Sequence, residues 1–510
     1  MRVALAQINP CIGDLAGNVE CCLAAIEAAH REKAALIVLP EMAIPGCPPR
    51  DILFDSSFSE AVLEATADLA HRASEGPPVI VGTVMASGKR PPNHPGLYNA
   101  AVLLSCGEVK LAAAKRLLPA HDIFYEPRWF VTGPAQPPLS IADRHVGVLL
   151  GDDLRDEGHE IHPPADLLSA GADLLICLAA SPYHHKVMAQ RLDHARRPHS
   201  PLIYVNLCGG SDELIFDGRS FAIDPHGDVI AQLNGFEEDV QIVDLEENTP
   251  IESEEAIPEK EVYQALVLGV RDFFQKNQIE RAFLGLSGGI DSALVATIAA
   301  EALGPSRVTA VAMPSRYTNP RSTTCARELA RALGIGFETV GLEPLHAATE
   351  EALGDLIAGG TAAENVQARI RAMILMGFVN RYGGMLLNTS NKTELALGYG
   401  TVCGDTAGTL CPIADLTKPE VYALARWIES QRGVIPQYTL ERPPSAELKP
   451  DQVDPFDYDE VGPAMERLVQ ENRSNSILRR TENKRWQMGV ILKISEKSFG
   501  TGRMIPITRR

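Results

Sequence analysis

The stretch Phe-Leu-Gly-Leu-Ser-Gly-Gly-Ile-Asp-Ser at 283–292 limits what this chain can fold into. Its apolar start predicts a short buried strand, and the apolar run after it predicts a helix that begins near Asp291. Between them, Ser287, Gly288 and Gly289 carry no bulky side chain, so their backbone N–H groups can approach a ligand closely. A helix N-terminus adds positive partial charge to such a turn. The stretch therefore predicts a phosphate-binding turn.

Two other phosphate-binding patterns are absent from this stretch. No Gly-Lys-Ser or Gly-Lys-Thr follows, as a Walker loop requires, and the Gly-x-Gly-x-x-Gly spacing of dinucleotide-binding turns is missing. The simplest alternative is an ordinary strand–helix turn with Asp291 as the N-cap of the helix. The order of the residues at 287–292 favours phosphate binding over that alternative.

Length, charge and cysteine content narrow the classes of protein. At 510 residues the chain exceeds what one hydrophobic core supports, so we expect at least two domains. A formal charge of -19 argues against a protein that holds nucleic acid through its phosphates. The 10 cysteines show no Cys-x-x-Cys spacing, which indicates neither a disulfide framework nor a zinc site and suits a reducing compartment. No apolar run is long enough for a signal peptide or a membrane span, so we expect a cytoplasmic protein without a membrane partner.

Residues 1–247 are predicted to form a first α/β domain. Short β-branched or leucine-rich runs alternate there with helical stretches, and no fixed-period repeat is present. The predicted helices are 18–33 and 57–73, and the predicted strands are 2–7, 36–39, 79–83, 100–104, 146–150, 174–178, 203–206, 221–223 and 240–245.

Three positions in this domain draw attention as candidates for chemistry. Glu41 comes directly after a predicted strand, at the end of the strand where α/β proteins place their sites. Lys115 begins Lys-Arg-Leu-Leu-Pro, and Gly151 begins the segment that follows the predicted strand at 146–150. Taken singly, Glu41 is typical of a loop carboxylate and Lys115 of a solvated cation.

Together these positions resemble the nitrilase superfamily of amidases, whose domain is an α-β-β-α sandwich. The likeness also runs through Leu-Pro-Glu at 39–41, the segment at 124–130, Ser-Pro-Tyr at 181–183 and the segment at 204–214. In that family a Glu is the general base, a Lys stabilises the oxyanion and a Cys is the nucleophile. The resemblance implies that Glu41 and Lys115 are the amidase pair and that Gly151 stands at the nucleophile position. A glycine cannot form a thioester, so amide hydrolysis by this covalent mechanism is excluded.

Other positions of the same pocket also depart from the family pattern. Asp152 stands where the family has Glu, Arg155 where it often has Trp, and Ser211 where it has Gln. Several such changes in one pocket predict that the domain lacks glutaminase activity. Cys177 and Cys208 could supply a thiol instead, but neither has a base that its spacing identifies.

The acidic, proline-containing segment at 248–260 predicts a linker, and residues 261–510 are predicted to form a second domain. A regular alternation there predicts a doubly wound parallel sheet, in which ligands gather at the carboxyl ends of the strands. Asn365 is predicted to lie at the start of a helix, where capping is its structural role. The predicted helices are 261–276, 322–333 and 367–381, and the predicted strands after the turn are 308–312, 337–340 and 385–388.

The second domain resembles NAD synthetase, a member of the ATP pyrophosphatase group with an adenine nucleotide alpha hydrolase-like fold. Besides the Ser-Gly-Gly-x-Asp-Ser turn, the likeness rests on Asn-Lys-Thr-Glu at 391–394, Pro-Ser-Ala-Glu-Leu at 444–448 and Phe-Gly-x-Gly-Arg at 499–503. The whole chain is similar to the two-domain, glutamine-dependent form. The resemblance implies ATP-dependent amidation of nicotinic acid adenine dinucleotide (deamido-NAD) through an adenylated intermediate, with release of AMP and pyrophosphate.

The resemblance also implies which residues bind each substrate. Asp291 and Glu394 are the implied Mg²⁺ ligands, in keeping with the preference of Mg²⁺ for oxygen, and Asp291 is an implied catalytic residue. The basic residues after position 478 form either a solvated tail or a partner for the dinucleotide phosphates. The residues implied for deamido-NAD are Asn365, Glu394, Tyr399, Gly400, Thr401, Val402 (where some single-domain relatives have Lys) and Lys484. Those implied for ATP are Gly285, Leu286, Ser287, Gly288, Gly289, Ile290, Asp291, Ser292, Thr389, Lys418 and Ser445.

We therefore expect an NAD synthetase that takes ammonia directly, because the nucleophile of the amidase domain is missing. Two alternatives stay open: glutamine use through an unrecognised nucleophile or partner protein, and a non-catalytic regulatory protein that binds the dinucleotide. Another ligase of the group, such as a GMP synthetase, is disfavoured because its partner domain is of a different amidotransferase type. The large multimers of the family lead us to expect a homo-oligomer.

Overall fold

The computed structural model describes residues 1–89, 91–247, 249–251, 257–473, 475–485, 489–496 and 498. The chain divides into two compact units, Met1–Ser211 with Ile215–Glu255, and Asp212–Leu214 with Ala256–Arg510. The domain boundaries predicted at 247 and 261 stay predictions, because residues 248 and 252–256 lie outside the described part of the chain.

The described part of the first unit contains four α-helices and a larger number of strands. The helices are α1 (Leu15–Arg31), α2 (Ser56–Arg72), α3 (Pro163–Ser169) and α4 (Val187–Arg196). The strands are β1 (Arg2–Gln7), β2 (Leu36–Val38), β3 (Val79–Ala86), β4 (Leu97–Ser105), β5 (Glu108–Ala114), β6 (Leu139–Ile141), β7 (Arg144–Leu150), β8 (Leu174–Ala179), β9 (Leu202–Asn206), β10 (Cys208–Ser211), β11 (Leu214–Asp217), β12 (Phe221–Ile223), β13 (Val229–Gln232) and β14 (Asp239–Asp244).

These strands form two six-stranded sheets and one short ribbon. The first sheet has the order β14-β1-β2-β3-β4-β5, and the second has the order β13-β12-β9-β8-β7-β6. The middle strands β1-β2-β3 and β7-β8-β9 run parallel within their sheets, and the outer strands pair antiparallel. Strands β10 and β11 form the ribbon.

The period-two pattern of the strands explains why the sheets stack. Along β7, Val146, Val148 and Leu150 join a core cluster that contains residues of both sheets, whereas Leu149 joins a cluster on the opposite face. That second cluster includes Leu167 of α3 and residues of α4, while α2 packs on the first sheet. Alternating apolar residues therefore bury both faces of each sheet. The predicted α-β-β-α sandwich is confirmed.

The second unit contains a parallel sheet with helices. Its strands are β15 (Ala282–Gly285), β16 (Val308–Ala312), β17 (Gly336–Thr339), β18 (Met385–Leu386), β19 (Leu410–Cys411) and β20 (Val490–Ile491). Its helices are α5 (Pro258–Lys276), α6 (Ile290–Leu303), α7 (Pro320–Leu333), α8 (Glu343–Leu353), α9 (Gly360–Tyr382), α10 (Lys392–Leu397), α11 (Lys418–Arg432), α12 (Gln437–Glu441), α13 (Tyr458–Gln470) and α14 (Ser476–Arg485).

The main sheet of this unit has the order β17-β16-β15-β18, and all its pairs are parallel. Ala282 of β15 lies opposite Val308 on one side and Met385 on the other, so the strand that leads into the 287–292 turn is central. Helix α6, which follows that turn, is buried along almost its whole length. The predicted doubly wound parallel sheet is confirmed.

Neither of the two helix caps considered from the sequence is present in the structure. Helix α9 begins at Gly360, so Asn365 lies inside it and does not cap it. Helix α6 begins at Ile290 with Gly289 as its N-cap, so Asp291 is not the cap either. Within the described residues, no helix is both long and apolar enough to cross a membrane.

Candidate functional site

The carboxyl ends of three parallel strands open onto a cavity of about 530 Å³ in the second unit. Gly285 at the end of β15, Met313 after β16 and Leu387 after β18 all line it. The central strand carries the glycine-rich turn to this edge, where side chains from neighbouring strand ends meet it. The cavity is therefore at the position that the sheet topology predicts for a ligand.

The turn at 287–292 is held by its own hydroxyls and by a close backbone contact. Ser287 N–H donates to Ser292 Oγ at 3.2 Å, and Gly289 N–H donates to Ser287 Oγ at 3.2 Å. Gly288 has φ +82°, and a Cβ on it would lie 2.3 Å from the carbonyl oxygen of Ser322. Only glycine fits this left-handed position against a neighbouring backbone.

The first turn of α6 points unpaired backbone donors toward the cavity edge. Gly289 caps the helix without a side-chain hydrogen bond. The first N–H groups of a helix have no acceptor within it, and the helix dipole adds positive partial charge there. Ile290, Asp291 and Ser292 line the cavity, so this helix start suits a phosphate group.

A lysine and two carboxylates meet beside the turn. Lys418 Nζ lies 2.5 Å from Asp291 Oδ2 and 3.5 Å from Glu394 Oε1, and Asn391 Nδ2 donates to Asp291 Oδ1 at 2.9 Å. Burial and the neighbouring charge of Asp291 raise the pKa of Glu394 to about 8. Burial opposes the charge of Lys418, but Asp291 and Glu394 outweigh it and raise the pKa of the lysine. When both carboxylates are ionised, Asp291, Glu394 and Lys418 together carry one net negative charge. This charge favours the binding of a further cation.

The segment around Tyr399 is tied to helices α9 and α14 by hydrogen bonds. Thr401 Oγ1 donates to Asn365 Oδ1 on α9 at 2.8 Å. Lys484 Nζ on α14 donates to the carbonyl oxygens of Gly398 at 2.7 Å and Gly400 at 3.0 Å. Although Asn365 does not cap its helix, its side chain meets a second residue predicted for the dinucleotide.

The predicted ATP and dinucleotide residues, with two exceptions, are among the residues that line this cavity. Gly288 packs behind the turn against Ser322, and Val402 lies outside the lining, where its carbonyl accepts from Arg369 Nε at 3.3 Å. Of the basic residues near the C-terminus, Lys484 reaches the cavity, whereas Lys493 is buried and donates to the carbonyl of Ser495. The motif predicted at 499–503 lies outside the described residues.

In the first unit, the ends of three strands bring Glu41, Lys115 and Gly151 together. Glu41 follows β2, Lys115 follows β5 and Gly151 follows β7, so both sheets contribute. Lys115 Nζ donates to Glu41 Oε1 at 3.0 Å, and both side chains are buried. A Cβ on Gly151 would lie 2.7 Å from Glu41 Oε2 and 3.2 Å from Lys115 Nζ. Any side chain at position 151 is therefore directed at this pair.

Lys115 contacts two further carboxylates, which the sequence did not single out for this role. Its Nζ lies 2.8 Å from Glu126 Oε1 and 3.3 Å from Asp152 Oδ2. Burial raises the pKa of Glu126 to about 8. Burial disfavours the charge of Lys115, but Glu126, Glu41 and Asp152 together raise its pKa. Glu126 could have been found from its place in the aromatic segment at 124–130, which is part of the resemblance to the nitrilase superfamily.

The two thiols considered as substitutes are both buried. Cys177 Sγ lies 3.8 Å from the carbonyl oxygen of Gly151, and its side chain is fully buried on β8. Burial raises the pKa of this thiol, which disfavours the reactive thiolate. Cys208 is 2% exposed at the start of β10.

Known proteins match both units of the chain. Residues 2–250 match the carbon-nitrogen hydrolase family, and residues 262–499 match the NAD synthase family. A glutamine-dependent NAD(+) synthetase of Synechocystis is 37% identical over 99% of this chain and 98% of its own length. One from Thermotoga maritima is 34% identical over 100% of this chain and 99% of its own.

The chain belongs to the glutamine-dependent NAD(+) synthetase family. A solved family member from Acinetobacter baumannii, in complex with ADP, has a TM-score of 0.81 at 31% identity and covers 99% of this chain and 98% of its own. Family membership makes the protein an NAD(+) synthetase, an ATP-dependent ligase, as predicted. The alternatives of a non-catalytic regulatory protein and of a GMP synthetase therefore fall away.

Proposed function

We propose that this NAD(+) synthetase converts deamido-NAD to NAD(+) through an adenylated intermediate and draws its nitrogen from ammonia. The observation that supports the conversion of deamido-NAD to NAD(+) is that one cavity, around Asp291, is lined both by residues predicted for ATP and by residues predicted for the dinucleotide. Tyr399 and Lys484 are lining residues predicted for the dinucleotide, and Ser287 and Lys418 are lining residues predicted for ATP.

The reaction needs a site that stabilises growing negative charge. The nicotinate carboxylate attacks the α-phosphate of ATP, pyrophosphate leaves, and ammonia then displaces AMP from the adenylate. The N–H groups at the start of α6 and the ammonium of Lys418 are fixed by the fold before the reaction begins. Fixed donors of this kind stabilise a transition state without reorganisation of the protein.

The donor set beside the turn fits Mg²⁺. Asp291 and Glu394 offer carboxylate oxygens next to the cavity, and burial together with the charge of Asp291 raises the pKa of Glu394 to about 8, a cost of ionisation that a bound divalent cation would lower. No group of three or more acidic, His or Cys side chains suited to a metal occurs among the described residues. Two carboxylates completed by substrate phosphates are a common way to hold Mg²⁺. Asp291 and Glu394 would hold the ion, which neutralises phosphate charge when bound.

The proposed ammonia source rests on the site around Gly151. The general-base and oxyanion residues implied by resemblance, Glu41 and Lys115, are in contact, and position 151 faces both without a side chain. The buried thiol of Cys177 is held on a core strand, and burial raises its pKa. Cys47, whose thiol pKa is influenced by Glu41 and Lys115, is buried as well, and burial raises that pKa. We therefore infer that no thiol near the pair, among the described residues, is a competent nucleophile for amide hydrolysis.

The second candidate is glutamine, used through another nucleophile or a partner protein. The comparisons favour it over ammonia, because the relatives described above are all named glutamine-dependent. In its favour too, Glu41 and Lys115 keep the contact that an amidase pair needs. The geometry at Gly151 and the names of the relatives therefore point to different nitrogen sources.

A comparison of nitrogen sources on the purified full chain separates the two candidates. With ATP, Mg²⁺ and deamido-NAD, we expect NAD(+) with ammonium and none above background with ammonia-free glutamine. Glutamine that supports a rate close to that of ammonium contradicts the ammonia proposal. A glutamine-derived diazoketone then tests for a nucleophile: an adduct mapped to Cys177 or Cys208 identifies it. No NAD(+) with either source contradicts the synthetase reaction itself.

A further inference from the structure

The carboxylate of Asp454 receives hydrogen bonds from two tyrosines at once. Tyr399 OH donates to Asp454 Oδ1 at 3.0 Å, and Tyr458 OH donates to Asp454 Oδ2 at 2.9 Å. Asp454 lines the cavity in the second unit, but it belongs to neither predicted set of binding residues. Each oxygen of one side chain thus holds a different aromatic ring.

The two tyrosines adjoin different groups of predicted binding residues. Tyr399 lies between Gly398 and Gly400, whose carbonyls accept from Lys484, a residue predicted for the dinucleotide. Tyr458 begins α13, and its ring centre lies 5.4 Å from Lys418 Nζ, which contacts Asp291, a residue predicted for ATP. Asp454 therefore connects the segment predicted for deamido-NAD with the carboxylate–lysine group.

Packing and backbone contacts hold this arrangement in one geometry. The Phe456 ring meets the Tyr399 ring edge-on at 5.2 Å and the Tyr458 ring at 6.0 Å. The N–H of Asp454 donates to the carbonyl of Pro444 at 2.9 Å, next to the predicted ATP residue Ser445. Burial and the nearby carboxylates raise the pKa of both tyrosines, so both phenols keep the proton that they donate.

We propose that Asp454 is a positioning residue of the NAD(+) synthetase reaction, because it fixes the Tyr399 side chain, which lines the cavity, and the Tyr458 side chain, whose ring lies against Lys418. It acts through the tyrosines and contacts neither Asp291 nor Glu394 by any hydrogen bond found among the described residues. The inference rests on the proposed use of this cavity for ATP and deamido-NAD and is independent of the nitrogen source. A carboxylate can accept from both phenols, whereas an amide of the same size has one accepting atom.

The substitution Asp454→Asn tests this role in the full chain. One phenol then faces an NH₂ group, and hydrogen bonds to a charged acceptor are the stronger ones, so we expect the KM for deamido-NAD to rise roughly tenfold or more, with a fall in kcat. Tyr399→Phe alone should raise the same KM. In an Asp454→Ala background, which leaves neither phenol an acceptor at this position, Tyr399→Phe should add less than about a twofold change.

Asp457→Asn is the matched control, since it changes the same residue type three positions away. Asp457 caps α13 by accepting from Asp459 N–H at 3.0 Å, a bond that asparagine also makes, so this variant should leave KM, kcat and the melting temperature close to those of the wild type. The proposal is overturned if Asp454→Asn also leaves KM and kcat unchanged. It is overturned as well if the effects of the Asp454→Ala and Tyr399→Phe substitutions on KM are fully additive. If Asp454→Asn does not fold, Tyr399→Phe and Tyr458→Phe carry the test, and wild-type kinetics in both variants also overturn it. A wild-type enzyme that makes no NAD(+) contradicts the proposed function instead.

Discussion

Replacing Lys418 with Met removes the cation that separates Asp291 from Glu394. Its Nζ lies 2.5 Å from Asp291 Oδ2 and 3.5 Å from Glu394 Oε1, while methionine retains most of the apolar length of the side chain. The pKa of Glu394 is already raised to about 8 by burial and by Asp291, and Lys418 is the charge that lowers it. Without the lysine, we expect this pKa to rise further.

The size of that rise follows from the contact distance. Unit charges about 4 Å apart interact by about 4 kcal/mol at an effective dielectric constant near 20, before solvent and local relaxation reduce the effect. Because one pKa unit corresponds to about 1.4 kcal/mol, we expect an upward shift of about one to two units. Mg²⁺ needs the ionised carboxyl, so activity is lost as the pH falls through the pKa of Glu394, and each unit below it costs about tenfold in the ionised fraction.

The assay is the pH dependence of NAD(+) formation at subsaturating Mg²⁺, with the concentration of free ammonia held constant at every pH. We expect the wild-type rate to reach half its maximum near pH 8, and saturating Mg²⁺ to move that midpoint downward. In Lys418→Met the midpoint should move upward. Lys449→Met, which removes an exposed lysine paired with Glu364 at 3.1 Å, is the control and should leave it unchanged. A midpoint in Lys418→Met that stays in place or moves downward refutes the reasoning.

Three further substitutions test other parts of the two sites. Gly288→Ala should raise the KM for ATP and destabilise the protein by at least about 1–2 kcal/mol, because its φ is +82° and its Cβ would meet the Ser322 carbonyl oxygen at 2.3 Å. Gly341→Ala, where φ is not positive and a Cβ would have no atom within 4 Å, is the control for kinetics and thermal melts. Lys484→Met should raise the KM for deamido-NAD and not that for ATP, since it loses two bonds to the segment beside Tyr399; equal effects on both would contradict this. Gly151→Cys, at φ +43°, should cost about 1–2 kcal/mol of stability and add a thiol that iodoacetamide labels, which peptide mapping against the wild type would detect.

The glycine-rich turn was predictable because its conformation depends on residues next to each other. Gly288 needs positive φ and a close backbone neighbour, and the short strand before it and the apolar helix after it are both visible in sequence. Likewise, Glu41 was placed after β2 because an apolar run ended directly before it. Local features of this kind predicted the fold class, the turn and the place of Glu41, whereas the roles of the other site residues came from the resemblance to known families.

Other elements depend on packing that local sequence does not reveal. Strand β5, which carries Lys115 to its site, ends in the run Leu-Ala-Ala-Ala, and alanine has low strand propensity, so it was missed. Helix α9 begins at Gly360, and a Gly-Gly pair at 359–360 is typical of a break between elements, so its start was placed seven residues too late. The role of Asp454 needs three segments of the chain to meet, and its local sequence, Val-Asp-Pro, indicates only a turn.

The contact between Glu41 and Lys115 does not by itself indicate that glutamine is hydrolysed. Lys115 is 2% exposed and contacts three carboxylates, so its charge is compensated entirely by these neighbours. Removing one partner of a buried ion pair costs about 3–5 kcal/mol, because the remaining charge is left without compensation. The group is therefore required for the stability of the first unit whether or not it performs chemistry. A thiol at position 151 would face both Glu41 and Lys115, but the residue has φ +43° and its Cβ would lie 2.7 Å from Glu41 Oε2, so Glu41 would have to shift to admit it. The retained pair therefore does not decide between ammonia and glutamine as the nitrogen source.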